Sequence, residues 1–101
     1  MTTTTLEIHI SHRVAVVWMA RETVRNAFNE ASIAELTETF RSLGADEDVR
    51  AIVLAGRGKA FCAGHDLKEM RAEPSQGYYE KLFAHCARMM MAIQKLPLPV
   101  I

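Results

Sequence analysis

Cys62, Gly64, His65 and Asp66 crowd into the stretch Gly56-Arg-Gly-Lys-Ala-Phe-Cys-Ala-Gly-His-Asp-Leu-Lys-Glu-Met70. The apolar run Ala51-Ile-Val-Leu-Ala55 ahead of it reads as a buried strand, and the pattern behind it reads as a helix. A strand that feeds a glycine-rich loop opening a helix leaves backbone N–H groups unpaired and aimed at one spot. Such a loop can hold negative charge developing on an oxygen, which is what acyl chemistry demands.

Other chemistries fit these residues less well. Gly56-Arg-Gly58 begins like a dinucleotide fingerprint, but Phe61 stands where the third glycine belongs. Gly58-Lys59 is followed by Ala60 instead of serine or threonine, and the earlier glycine of a P-loop is missing. Cys62 and His65 have a metal-like spacing with Asp66 adjacent, yet no second ligand pair accompanies them, so no metal is expected. A nucleophilic Cys62 would need a base and a group orienting that base, and neither is indicated.

Three segments together resemble one family. Lys59-Ala-Phe-Cys-Ala-Gly-His-Asp-Leu-Lys-Glu-Met70 is similar to the first signature loop of the enoyl-CoA hydratase/isomerase (crotonase) superfamily. Arg25-Asn-Ala-Phe-Asn29 is similar to its upstream Asn-Ala segment, and Pro97-Leu-Pro-Val-Ile101 to the strand before its second signature. The resemblance runs from about Leu6 to the end and implies the N-terminal portion of a crotonase-like ββα spiral. It implies an acyl-CoA thioester as partner, with coenzyme A entering as part of the substrate and no separate cofactor. It also implies chemistry through an enolate whose oxygen is held by backbone donors.

Carried onto this sequence, the first donor is the backbone N–H of His65, beside Gly64, where the lack of a side chain lets a thioester approach. Ala63, His65, Asp66, Leu67 and Lys68 would line the acyl-CoA site. Thr23, Val24 and Arg25 would touch the CoA carrier, with Arg25 near a phosphate. Two positions depart from the pattern: Glu22 replaces a frequent proline, and His65 replaces a small residue. A backbone donor tolerates the second change. An imidazole with an unperturbed pKa near 6.5 would suit a general base, and that role stays open.

The family draws its second donor and its acid/base carboxylates from beyond the Pro-Val-Ile strand. The expectation is therefore an acyl-CoA-binding half, residues 6–101, truncated before the second signature and inactive alone. The alternative is a truncated, non-catalytic acyl-CoA-binding or assembly protein of the same fold. A homo-trimer or hexamer is implied for the complete protein.

Composition excludes more than it specifies. Twelve acids balance twelve bases, so bulk charge favours neither nucleic acid nor an anionic membrane. Half the residues are hydrophobic, enough for one core. The two cysteines, Cys62 and Cys86, make no dense disulfide framework and fit reduced thiols in a cytoplasmic protein. The Met-Thr-Thr-Thr-Thr start lacks the layout of a signal or transit segment, and no apolar run reaches membrane-spanning length.

The elements that must position the loop follow from periodicity. Residues 1–5 are expected to form a disordered tail. Leu6, Ile8 and Ile10 alternate with Glu7 and His9, and residues 14–19 are apolar on both faces, so a hairpin turning at Ser11-His-Arg13 is predicted. Trp18 is expected in the core, and His9 and His12 in solvent. Residues 20–27 should be loop. Asn29 should cap a helix carrying Ile33, Leu36, Phe40 and Leu43, with Gly44 ending it. A solvated acidic connection, Asp46-Glu-Asp48, leads to a strand over 49–55. A short helix over 66–72 breaks at Glu73-Pro-Ser-Gln-Gly77. A second, over 78–95 and roughly 27 Å long, should bury Tyr79, Leu82, Phe83, Cys86, Met89, Met90 and Ile93 as one stripe. Alternating strands and helices argue an α/β fold with crossover connections.

Overall fold

The structure, a computed structural model, describes residues 5–101. Strands β1 (Leu6–Ser11) and β2 (Val14–Met19) form an antiparallel hairpin in the register Leu6↔Met19 to Ser11↔Val14. His12 and Arg13 between them both take left-handed backbone, φ 51 and 67. That pair of conformations gives a two-residue turn whose twist matches the flanking strands. Helix α1 (Glu30–Ala45) then crosses over to β3 (Ala51–Gly56), which lies parallel to β2. Helices α2 (Leu67–Ala72) and α3 (Gln76–Gln94) follow.

The period-2 rule places Leu6, Ala15, Val17, Met19 and Ile52 on one face of the sheet. There they meet Ile33, Leu36, Phe40 and Leu43 of α1 and Leu82 and Met89 of α3 in a single buried cluster. Asn29 caps α1, accepting from the Ser32 N–H at 2.8 Å while Ser32 Oγ accepts from the Asn29 N–H at 2.9 Å. This reciprocal arrangement satisfies donors that a helix start otherwise leaves open. After α3 the chain returns to the sheet. Ile52 N donates to Pro99 O at 3.0 Å and Ile101 N to Ile52 O at 2.9 Å, so Val100 bridges in parallel to the free side of β3.

The α/β architecture and its element order match the expectation, and several details differ for physical reasons. Trp18 is not core. It lies on the sheet face opposite the helices, half-buried, with the Arg57 guanidinium carbon 4.0 Å from its ring centroid. Arg57 is held there by Glu7 at 2.8 Å. Within the expected tail, residues 1–4 lie outside the described residues, whereas Thr5 is buried and donates through N–H and hydroxyl to Glu35. Gly44 does not end α1, which runs on to Ala45. Its smallness serves packing, since a Cβ there would come 2.4 Å from Leu96 Cδ2. Helix α3 starts earlier than expected because Ser75 caps it through the Tyr78 N–H. Its buried stripe is narrower than expected. Leu82 and Met89 are buried, but Phe83 and Met90 are nearly half exposed because α3 shows only one face to α1 and the sheet. Among the described residues no helix is long and apolar enough to cross a membrane.

Candidate active site

The loop after β3 is held by a second piece of chain, the turn after β2. Ala63 N donates to Arg25 O at 3.0 Å, Phe28 N to Gly64 O at 2.7 Å, and Asp66 N to Phe28 O at 2.7 Å. This is one rung of parallel pairing between Phe28 and His65. In such a rung the partner strand uses the groups of the residues flanking His65, so the N–H of His65 itself points to the other side. That N–H has no acceptor among the described residues. Gly64 precedes it at φ +92, a conformation only glycine adopts without strain.

Beside this loop lies an open cleft of about 560 Å³ whose lining includes Val24, Ala63, His65, Leu67, Met70 and Phe83. The imidazole of His65 is packed between aromatic rings. It meets Phe83 edge-on at 5.0 Å and Phe28 at 6.5 Å between centroids, and its buried Nδ1 has no partner among the described residues. Ring packing thus holds the side chain in place while the backbone donor stays free.

Asp66 borders the cleft but is committed elsewhere. Its Oδ1 accepts from the N–H groups of Lys68 and Glu69, at 3.0 and 3.2 Å, and caps α2. Its Oδ2 pairs with Arg21 Nη2 at 3.1 Å, and Arg21 also donates to Ala27 O. Burial alone would raise the Asp66 pKa. The Glu69 N–H and the Arg21 guanidinium outweigh it, so the carboxyl is held below its ordinary 3.8. A depressed folded-state pKa adds stability that is complete above pH 3.8 and disappears as pH falls through the folded value. Asp66→Asn should therefore cost about 1 kcal/mol at pH 7, with a difference from wild type that shrinks toward pH 3. Urea melts at the two pH values test this, and a gap that widens in acid would refute it.

Helix α2 is braced on both sides. Glu69 Oε1 accepts from the Glu30 N–H at 2.8 Å, and Tyr79 Oη donates to Met70 O at 3.1 Å. The site residues expected from sequence fall into two groups. Val24, Ala63, His65, Asp66 and Leu67 share the cleft, and Gly64 sits in its loop. Thr23 and Arg25 instead line an adjoining groove of about 340 Å³ with Gly58 and Lys59. Lys68 is exposed and lines neither. Sequence reasoning missed Arg21, and it singled out Asn26 only within the segment 25–29, without its contacts. Both act on partners far along the chain, and no local period marks such contacts.

The family model for enoyl-CoA hydratase/isomerase matches residues 9–101. A crystal structure of an enoyl-CoA hydratase from Mycobacterium smegmatis is similar at a TM-score of 0.93 and 56% identity, covering 96% of this chain and 38% of that one. Among curated relatives, enoyl-CoA hydratase domain-containing protein 3, mitochondrial, of Xenopus laevis is 36% identical over 77 residues, 76% of this chain and 26% of that protein. Delta(3,5)-Delta(2,4)-dienoyl-CoA isomerase, mitochondrial, of Mus musculus is 34% identical over 108 residues, 97% of this chain and 32% of that protein. The chain spans 26% and 32% of the lengths of these two relatives.

Proposed function

The chain belongs to the enoyl-CoA hydratase/isomerase family, and from that premise we propose that it forms the acyl-CoA-binding half of an enzyme that stabilises a thioester enolate. The observation that carries this is the unpaired His65 N–H, next to Gly64 and beside an apolar cleft. When a proton leaves or joins the carbon beside a thioester carbonyl, charge gathers on the carbonyl oxygen. A donor fixed in advance at that oxygen stabilises the charge without reorganising, and one such donor is typically worth about 3 kcal/mol. Val24, Leu67 and Phe83 offer apolar walls to the acyl and thioester portion. In the adjoining groove, Arg25 and Lys59 supply positive charge suited to the phosphates of coenzyme A, with Glu22 as a counter-charge.

The same geometry argues against Asp66 as the acid or base. Asp66 is the carboxylate bordering the cleft, and both of its oxygens are occupied. Proton transfer to and from the substrate then falls to groups outside residues 6–101, and this chain alone binds without turnover. That commitment of Asp66 also favours the second reading, a non-catalytic acyl-CoA binder.

Crotonyl-CoA tests both. Bound to this chain, its thioester C=O stretch should shift to lower frequency, with no hydration product. A complete reading frame that then hydrates crotonyl-CoA supports the enzyme, and one that only binds supports the binder. Absence of the shift, or turnover by the 101-residue chain, refutes the assignment of the donor or of the acid and base. His65→Ala keeps the amide, so turnover of the complete protein should stay within about threefold of wild type. A hundredfold loss would move the imidazole into the reaction.

A further inference from the structure

We propose that Asn26 is the positioning residue that fixes the loop and so aims the His65 N–H, an inference that rests on the oxyanion reading above. Asn26 is only 3% exposed, and it takes left-handed backbone, φ 57, directly after Arg25 at φ 53. Asparagine is among the few residues that tolerate this conformation. Its amide is fully used. Oδ1 accepts from the Arg21 N–H at 2.9 Å, and Nδ2 donates to Arg57 O and to Ala60 O, each at 2.9 Å. No other short side chain offers one acceptor and two donors in this shape.

The two acceptors bracket the turn by which the chain leaves β3. Within that turn Gly58 stands at φ +83, where a Cβ would meet Glu22 Cβ at 2.8 Å. Just ahead, a Cβ on Gly56 would come 3.0 Å from Asn26 Nδ2. The Asn26 side chain therefore pins the start of the loop. The backbone of its neighbours Arg25 and Phe28 pins the end, through Ala63, Gly64 and Asp66. The segment 25–28 thus sets the path of the whole loop between β3 and α2. The cleft walls at Leu67 and Phe83 stand on α2 and α3 and are not hydrogen-bonded by the amide of residue 26, so its loss should misaim the donor and leave those walls standing.

Asn26→Gly keeps a left-handed backbone without strain and deletes only the side chain. Asn26→Asp keeps the acceptor for Arg21 N–H but turns a carboxylate on two carbonyl oxygens, and protonating it in mild acid returns one donor. Two measurements separate the roles. Amide exchange needs no ligand: the N–H groups of Ala63 and Asp66 should exchange about tenfold faster in Asn26→Gly, while amides of β2 and α1 hold their protection. In crotonyl-CoA binding, affinity should change by less than about threefold while the thioester C=O shift is lost. Asn26→Asp should behave likewise at pH 7 and partly recover near pH 5, a response that a space-filling role would not give.

Unchanged exchange at Ala63 and Asp66, or a retained C=O shift in Asn26→Gly, would overturn the inference. Should Asn26→Gly fail to fold, Asn26→Asp decides alone, and pH-independent behaviour counts against the proposal. A wild-type complex without the shift overturns the oxyanion reading and this inference together. The exchange data tell that failure from a failure of the clamp itself.

Discussion

Alanine at position 64 is expected to abolish the C=O shift of bound crotonyl-CoA and to lower turnover of the complete protein by about 10²- to 10³-fold. Space is not the reason. A Cβ at Gly64 would meet nothing within 4 Å. The cause is φ +92, which places an L side chain against its own backbone at a cost of about 1–3 kcal/mol. The chain can relieve that strain by turning φ negative, and the peptide linking residues 64 and 65 turns with it. That peptide carries the His65 N–H, and its carbonyl accepts from Phe28 N at 2.7 Å. One rotation would thus misdirect the donor and break the rung that supports it. Gly77 is the control, because a Cβ there also finds open space and its backbone is already helical. Gly77→Ala should leave the shift intact. If Gly64→Ala keeps both the shift and the rate, residue 65 is not the donor.

The largest loss of stability should come from Phe40→Ala, at about 3–5 kcal/mol. Phe40 of α1 is wholly buried, in the same cluster as Ala15, Val17 and Ile52 of the sheet and Leu82 and Met89 of α3. Removing the ring deletes apolar contact and leaves a hole that the sheet cannot close. Small domains have about 5–15 kcal/mol in total, so the variant should be close to unfolding at 37 °C. Urea denaturation of the 101-residue chain measures this. A loss under about 1 kcal/mol would show that the helix layer and the sheet do not share one core.

Much of the architecture is legible in the residues, and the exceptions have causes. Leu6, Ile8 and Ile10 against Glu7 and His9 specify a half-buried strand, and β1 is found there. Ile33, Leu36, Phe40 and Leu43 recur at helical spacing and all four are buried. Strand β2 defeats the same rule. Val14, Val16 and Trp18 are as apolar as Ala15, Val17 and Met19, so alternation cannot say which set faces the helices. Only the coverage by α1 and α3 decides it. In α3 the apolar positions wrap too far round the helix for spacing to separate Leu82 and Met89 from the exposed Phe83 and Met90.

The candidate site divides the same way. The loop with Gly64 and His65 stands out locally, because its residue types are unusual and contiguous. The parts that hold it come from distant sequence: Arg21 reaches Asp66, and Asn26 reaches Arg57 and Ala60. An arginine and an asparagine in a loop give no sign, by type or spacing, of where such side chains will end up.

The parallel rung between Ile52 and Val100 has a kinetic consequence. The β1–β2 hairpin needs only a two-residue link, whereas this rung must close a segment containing both α2 and α3. Longer closure forfeits more chain entropy before any contact repays it. Refolding should therefore begin with the hairpin and zip its last strand onto β3 only after α3 has docked. In a pulse-labelling experiment, the amide of Val16, whose N–H faces β1 across the hairpin, should gain protection before that of Ile101.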